Sequence, residues 1–400
     1  MPEARASTSC IAFTGGGTGG HIYPGLAVIE AMRTLGFEGR VIWIGSEKEL
    51  DRKIVEELGV EYSAIPSGKF RREISLRNVT DISRIIAGYF TSKSILSTAR
   101  PSLLFSKGGY VSVPPCRAAA KLGIPVITHE SDASPGLATR LNSAKASTIL
   151  TSWDETAAYF SPQLRGKVVR AGNPVRPSLF GGDRARGLAR LGFSADKPVL
   201  FVLGGSQGAR EVNEIVIGAL PLLAPHLRIV HQTGAANFDE VRARAPDDEA
   251  IRASYRPLPY LGPEIADIYA ASDIVAGRAG AGTVWEAASL GKPMVLIPLA
   301  GAGTRGDQVE NAALAAKAGA ATVLRGDDCT PESFANAVMR ALDPLNMSAA
   351  IRACAALTRI SSSTLPGADR AQAEEAAIPS AEFIARLVLS RLDARTEETR

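Results

Sequence analysis

Along this 400-residue chain, short runs of β-branched and aliphatic residues alternate with longer segments in which apolar positions recur at the helical period. The runs are Ile11 to Thr14, Val41 to Ile44, Leu103 to Phe105, Val126 to Thr128 and Thr148 to Leu150. A second series follows: Val199 to Leu203, Arg228 to His231, Ile274 to Ala276, Met294 to Ile297 and Thr322 to Leu324. Each run is nearly continuous in apolar residues and ends in glycine or polar residues. That pattern marks parallel strands covered by helices on both faces, and it predicts an α/β, doubly wound architecture.

The pattern also repeats. Ile11-Ala-Phe-Thr-Gly-Gly-Gly17 and Leu200-Phe-Val-Leu-Gly-Gly205 each place a glycine-rich turn directly after a strand and before a helix. Two similar domains are therefore expected, 1–172 and 173–379, parted near Gly172-Asn-Pro-Val-Arg-Pro177, where glycine and two prolines break the periodicity. Phe383, Ile384, Leu387, Val388 and Leu392 share one helical face, so a helix over 380–395 should dock, and the first domain is its expected partner.

Composition sharpens this picture. Forty-six per cent hydrophobic and 22% charged residues exclude a disordered or coiled-coil chain, and the 38 glycines exceed the average of roughly 7%. A formal charge of +4 is too mild to imply nucleic-acid binding. Cys10, Cys116, Cys329 and Cys354 lack metal-ligand or disulfide spacing and fit a reducing cytosol. No apolar run of about 18 residues, and no apolar stretch in MPEARASTSC, suggests a spanning helix or signal peptide.

The glycines concentrate in turns that follow the expected strands. The loop Gly15 to His21 satisfies GxGxxG in the required strand-to-helix context, but no acidic residue is clearly placed about 20 positions on, which weakens a dinucleotide reading without excluding it. His21 and Ile22 stand where a P-loop needs Lys and Ser/Thr, so an NTPase site is ruled out. What remains is a loop whose N–H groups point at a ligand, with His21 beside a helix that begins near Pro24. The positive end of that helix favours neutral imidazole, making His21 a candidate general base; capping the turn is the alternative. A second glycine pair lies in Ser106-Lys-Gly-Gly-Tyr110, and a third loop is Gly204-Gly-Ser-Gln-Gly-Ala-Arg210, where Ser206 offers a hydroxyl to phosphate.

Farther on, Gly277-Arg-Ala-Gly-Ala-Gly-Thr-Val-Trp-Glu286 opens a helix with small residues. The N–H groups of Ala281, Gly282 and Thr283 suit a diphosphate without a metal, and Glu286 suits the paired hydroxyls of a ribose, unless it is merely a solvated helix residue. Asp307 and Gln308 start another helix, where they would read sugar hydroxyls; capping alone also accounts for Asp307.

Together, GGGTGGHIYPGLAV, SKGGYVS, the His129 to Asp132 segment, GNPVR, LGGSQGAR, GRAGAGTVWEAASLGKP and DQVENA resemble glycosyltransferase family 28, over essentially residues 10–325. These are the peripheral N-acetylglucosaminyltransferases of peptidoglycan synthesis. The resemblance implies a GT-B fold, two Rossmann-like domains facing across a cleft. It implies inverting, metal-independent transfer of GlcNAc from UDP-GlcNAc to the MurNAc C4 hydroxyl of lipid I, giving lipid II, with no cofactor. By matching motif, His21 and Glu130 are the implied catalytic pair, with Thr18, Gly19, Gly20 and Tyr110 lining the substrates. Arg176, Ser206, Ala281, Gly282, Thr283, Val284, Trp285, Glu286 and Gln308 resemble donor-binding positions, and Leu261 falls where a backbone group reads uracil. The family usually has His-Glu-Gln-Asn where this chain has His129-Glu130-Ser131-Asp132. Asp132 accepts but cannot donate as an amide does, so it either contacts the sugar differently or shares proton transfer with His21.

Such enzymes work on the cytoplasmic side of the cell membrane as peripheral proteins, with other cell-wall synthesis proteins as candidate partners. Lys69, Arg71, Arg72, Arg77, Arg84, Lys93 and Arg100 surround Ile82, Ile85, Ile86, Tyr89 and Phe90 at helical spacing. Two readings fit: the stripe meets an anionic leaflet, or it packs on the first domain's sheet and leaves a solvated basic face.

Overall fold

The computed structural model describes residues 9–68, 76–204, 209–301, 304–361, 365 and 377–398, without side chains for 76–79 and 393–398. The described residues form two compact units, one from Met1–Arg176 together with Ile360–Arg400 and the other from Pro177–Arg359.

The first unit holds strands β1 (Cys10–Thr14), β2 (Arg40–Gly45), β3 (Glu61–Ala64), β4 (Leu103–Ser106), β5 (Val126–Glu130), β6 (Thr148–Thr151) and β7 (Val168–Arg170). Their order is β3-β2-β1-β4-β5-β6-β7, and every neighbouring pair is parallel. The interior strands read CIAFT, LLFS and TILT and are buried at every position, as a sheet covered on both faces requires.

The second unit holds β8 (Val199–Leu203), β9 (Arg228–Gln232), β10 (Tyr255–Leu258), β11 (Ile274–Gly277), β12 (Met294–Leu296) and β13 (Ala321–Val323). These lie in the order β10-β9-β8-β11-β12-β13, again all parallel. Each unit is thus a Rossmann-like, doubly wound sheet, and both have the strand order that reverses beside the first strand.

The ten expected strands all appear, and β3, β7 and β10 add to them. All three are sheet edges. An edge is covered on one side only, so EYSA, VVR and YRPL mix polar with apolar residues and lack a continuous apolar run. Pro257 fits in β10 for the same reason, since an edge strand has one row of unpaired backbone groups.

The chain returns to the first unit at its end. Residues Ile360–Ser361 pair antiparallel with Ala377–Ile378. The helix Ser380–Glu398 then lays Phe383, Ile384, Leu387, Val388 and Leu392 into the core that holds Leu26, Ile29 and Met32 of helix Tyr23–Thr34. Each such buried side chain contributes about 1.5–3 kcal/mol.

Candidate functional site

In the first sheet the connections part between β1 and β4, so a crevice opens at the carboxyl ends of those two strands. The loops from Gly15 to His21 and from Lys107 to Tyr110 meet there.

The first loop is fixed from behind by β2 and the helix after it. Trp43 Nε1 donates to the Gly15 carbonyl at 3.0 Å, and Lys48 Nζ donates to the Gly17 carbonyl at 2.8 Å. Asp51 is buried, and its Oδ2 accepts from the Gly17 N–H at 2.7 Å and the Ser46 hydroxyl at 2.6 Å. The Gly17 amide is therefore held by Asp51, contrary to the expectation that the loop's N–H groups all face a ligand. Beyond it the loop turns through Gly19–His21, where the His21 N–H donates to the Thr18 carbonyl at 3.1 Å, and helix Tyr23–Thr34 begins with Pro24 in its first turn. Thr18 and Gly20 are exposed.

The two loops touch at points where no side chain fits. Gly109 has φ 76°, and a Cβ there would lie 2.9 Å from His21 Cδ2 and 3.0 Å from the Gly16 carbonyl oxygen. Glycine at 109 thus lets the imidazole pack on the second loop. Tyr110 in turn covers Gly17, where a Cβ would meet its Cε1 at 2.7 Å.

At the end of β5, His129 and Glu130 have separate tasks. His129 is fully buried, with Nε2 2.8 Å from the Gly172 carbonyl. A carbonyl only accepts, so Nε2 carries the proton. Burial first, and then the charge of Lys107, holds the His129 pKa well below the ordinary imidazole value, so this ring is neutral and structural. Glu130 accepts the Asp132 N–H on Oε1 at 3.1 Å and the Gly136 N–H on Oε2 at 3.0 Å, so its carboxylate shapes the turn that carries Asp132. Arg176, which belongs to the first unit, lays its guanidinium over the Tyr23 ring at 4.6 Å from the centroid.

The second unit has its crevice between β8 and β11. Ser206 lies outside the described residues. Gly277, at the end of β11, has φ 152°, and a Cβ there would sit 2.2 Å from the Leu203 carbonyl oxygen, so the strands approach closely where the loops part. The following loop is held by Arg278, which donates to the Ile297 carbonyl and to Glu211, and by buried Asn311, whose Nδ2 donates to the Ala279 carbonyl at 3.2 Å.

Helix Ala281–Ser289 starts there. Its first internal bond runs from the Val284 N–H to the Gly280 carbonyl, so the amides of Ala281, Gly282 and Thr283 have no intrahelical acceptor. Gly280 and Gly282 face open space. The side chains of Ala281, Val284 and Trp285 are buried, so those residues have only backbone to offer, whereas Gly282, Thr283 and Glu286 lie on the half-buried side.

Glu286 Oε2 accepts from the buried Tyr269 hydroxyl at 3.2 Å. Gln308 accepts the Leu299 N–H on Oε1 at 2.9 Å, which leaves its amide NH2 as the group able to donate. Asp307 is held by Arg305 at 2.6 Å. Leu261 is 5% exposed, so any role in reading a base falls to its backbone.

Sequence reasoning missed Asp51, Tyr269 and Asn311. Asp51 reads locally as an acid favoured near a helix N-terminus, and Tyr269 and Asn311 as ordinary residues of helices. Only the tertiary fold brings them to the loops.

Glycosyltransferase family 28 accounts for both halves: its N-terminal domain matches residues 11–151 and its C-terminal domain residues 199–362. The chain belongs to glycosyltransferase family 28, and it is a glycosyltransferase of GT-B fold. It is 48% identical, over 81% of its length and 86% of the relative's, to the UDP-N-acetylglucosamine--N-acetylmuramyl-(pentapeptide) pyrophosphoryl-undecaprenol N-acetylglucosamine transferase of Treponema denticola. It is 38% identical to the transferase of the same name from Lachnoclostridium phytofermentans, over 83% of this chain and 90% of that one. Among solved structures, Acinetobacter baumannii MurG superposes with a TM-score of 0.67 at 25% identity, covering 87% of this chain and 95% of that one.

Proposed function

We propose that this chain transfers GlcNAc from UDP-GlcNAc to the MurNAc C4 hydroxyl of lipid I, with inversion at the anomeric carbon. The observation that carries the reading is the 48% identity, over 81% of the chain, to a transferase named for that donor and acceptor. In this mechanism His21 takes the acceptor proton as the hydroxyl attacks the anomeric carbon, and UDP leaves as the glycosidic bond forms. Three features support His21: its place at the switch point, its contact with the second glycine loop, and the neutral, carbonyl-bound state of His129, the histidine at the end of β5.

The donor is assigned to the second unit. The first-turn amides of helix Ala281–Ser289 receive the diphosphate, Glu286 the ribose hydroxyls and the Gln308 amide the GlcNAc hydroxyls, with no metal required. Thr18, Gly19, Gly20, Tyr110 and the Glu130–Asp132 turn serve the acceptor. Incubation with UDP-GlcNAc and a short-chain lipid I analogue tests this directly: UDP and a disaccharide product are expected in equal amounts. Donor hydrolysis or epimerisation without disaccharide would replace the assignment with another reaction of the same fold.

The protein acts, in this reading, on the cytoplasmic face of the membrane as a peripheral protein. No described helix is long and apolar enough to cross a bilayer. Helix Leu76–Ala99 divides its apolar stripe: Tyr89, Ile95 and Leu96 pack inward, while Ile82, Ile86 and Phe90 are 45%, 53% and 63% exposed along one face. Lys69, Arg71 and Arg72 lie outside the described residues, as does the side chain of Arg77. An exposed apolar row suits a membrane surface, to which Lys93 of the same helix adds a positive charge, while Arg84 is paired with Glu47. Replacing Ile82, Ile86 and Phe90 with Ser should weaken binding to anionic vesicles; unchanged binding would remove this surface from the proposal.

A further inference from the structure

Lys107, the residue between the strand β4 and the glycine pair, is a lysine with 2% exposure. A buried ammonium is costly unless it is paired and hydrogen-bonded, so its surroundings should show what it holds. Its N–H donates to the Thr14 carbonyl at 2.8 Å, which ties β4 to the end of β1. Its Nζ donates to Ser131 Oγ, and Ser131 Oγ donates to Asn173 Oδ1 at 2.6 Å. One side chain thereby links the ends of β4 and β5 to the segment after β7.

The charged groups around it are few. Glu130 and Asp132, from the end of β5, both attract the ammonium. His129, on the same strand, is neutral, and His21 stands beyond Gly109 on the loop side. Glu130 and Asp132 are two carboxylates on one tight turn, joined by the bond from the Asp132 N–H to Glu130. Like charges so placed repel one another unless a cation intervenes.

We propose that Lys107 is the buried counter-ion of Glu130 and Asp132 and fixes their turn through Ser131, and so is a positioning residue for the acceptor side of the site. The placement of the charges stands by itself; the acceptor role rests on the transferase reading above. Burial brings the Lys107 pKa down to about 8 despite the two carboxylates, so the ammonium loses its proton just above neutrality.

Two measurements test this. In the first, 13C carboxyl NMR of the wild-type protein is followed across pH, with D132N supplying the assignment of Asp132. The Asp132 signal should shift near pH 8 as Lys107 loses its proton. A carboxyl signal that passes through that range without moving overturns the counter-ion role, whether or not the enzyme turns over.

In the second, the near-isosteric K107M should lower kcat/KM for the acceptor analogue about tenfold, leave the donor KM unchanged and move the acid limb of the pH profile upward. The double variant K107M/D132N removes the unbalanced carboxylate and should recover at least threefold of that loss. Wild-type activity and pH profile in K107M, or a double variant no better than K107M, overturns the positioning role. Wild-type protein that forms no disaccharide sinks the transferase reading instead, and the NMR titration then decides the inference alone.

Discussion

The two crevices share one topology and are built from opposite materials. In the first unit the glycine loop is gripped by Trp43, Lys48 and Asp51, and a buried polar chain runs from Lys107 through Ser131 to Asn173. In the second, the end of β11 leads into small residues and a helix start whose first-turn amides have no intrahelical acceptor. The difference matches two chemical demands. A proton must be removed at one atom, which requires a side chain held to within fractions of an ångström. A diphosphate spreads its charge over several oxygens, and a row of amides at a helix N-terminus meets it without any titratable group.

If this division is right, substitutions in the first crevice should act on kcat and those in the second on the donor KM. The largest effect is expected at His21. H21A should lower kcat by about 10²–10⁴-fold, the usual contribution of a positioned general base, with the donor KM nearly unchanged. Steady-state kinetics with both substrates varied would check it; turnover that survives the substitution takes the proton-transfer role away from His21. Next comes G109A. Its Cβ would push against His21 Cδ2 and the Gly16 carbonyl in a backbone conformation unfavourable to alanine. A displaced imidazole should cost about 100-fold in kcat, and a fold check by circular dichroism separates this from unfolding.

In the second crevice E286A should raise the donor KM by about tenfold, or about 1.4 kcal/mol, while kcat changes little. Y269F tests the support behind it: the phenol that orients Glu286 is lost and its ring stays, so a KM change of about fivefold or less is expected. A kcat effect from either substitution, measured at saturating donor, would break the division between the crevices.

Sequence pattern reveals the crevices far better than it reveals their supports. Parallel strands buried on both faces announce themselves as apolar runs, and the loops at their carboxyl ends are marked by glycine; hence the loops that carry His21 and Tyr110 and the helix start before Glu286 are legible. Of the four edges of the two parallel sheets, β13 is legible, whereas β3, β7 and β10 are not, because EYSA, VVR and YRPL mix polar with apolar residues. Nor are Asp51 and Tyr269, which act across 34 and 17 residues of separation on groups their local sequence does not announce. Lys107 lies inside the motif SKGGYVS, yet only burial distinguishes it from a solvated lysine beside a glycine pair.

The smallest expected effect concerns the histidines, and it sharpens the comparison where kinetics are silent. His231 is the second unit's buried ring, with Nδ1 2.9 Å from the Tyr255 hydroxyl and Nε2 3.0 Å from Asn213 Oδ1. The amide oxygen only accepts, so Nε2 carries the proton and Nδ1 accepts from the phenol. Burial takes the His231 pKa down to about 3, and the unfolded chain binds that proton near 6.5. Between those values the unfolded state holds more protons, so this residue's contribution to stability falls as pH drops through 6.5 toward 3 and is constant above. His129 acts in the same direction in the first unit, with Lys107 adding to burial. Imidazole NMR should therefore show both rings neutral throughout pH 5–8 without any loss of activity from their titration. A buried ring that instead titrates in that range would show that its crevice opens to water, and the contrast between a rigid first site and an amide-lined second one would need to be redrawn around that opening.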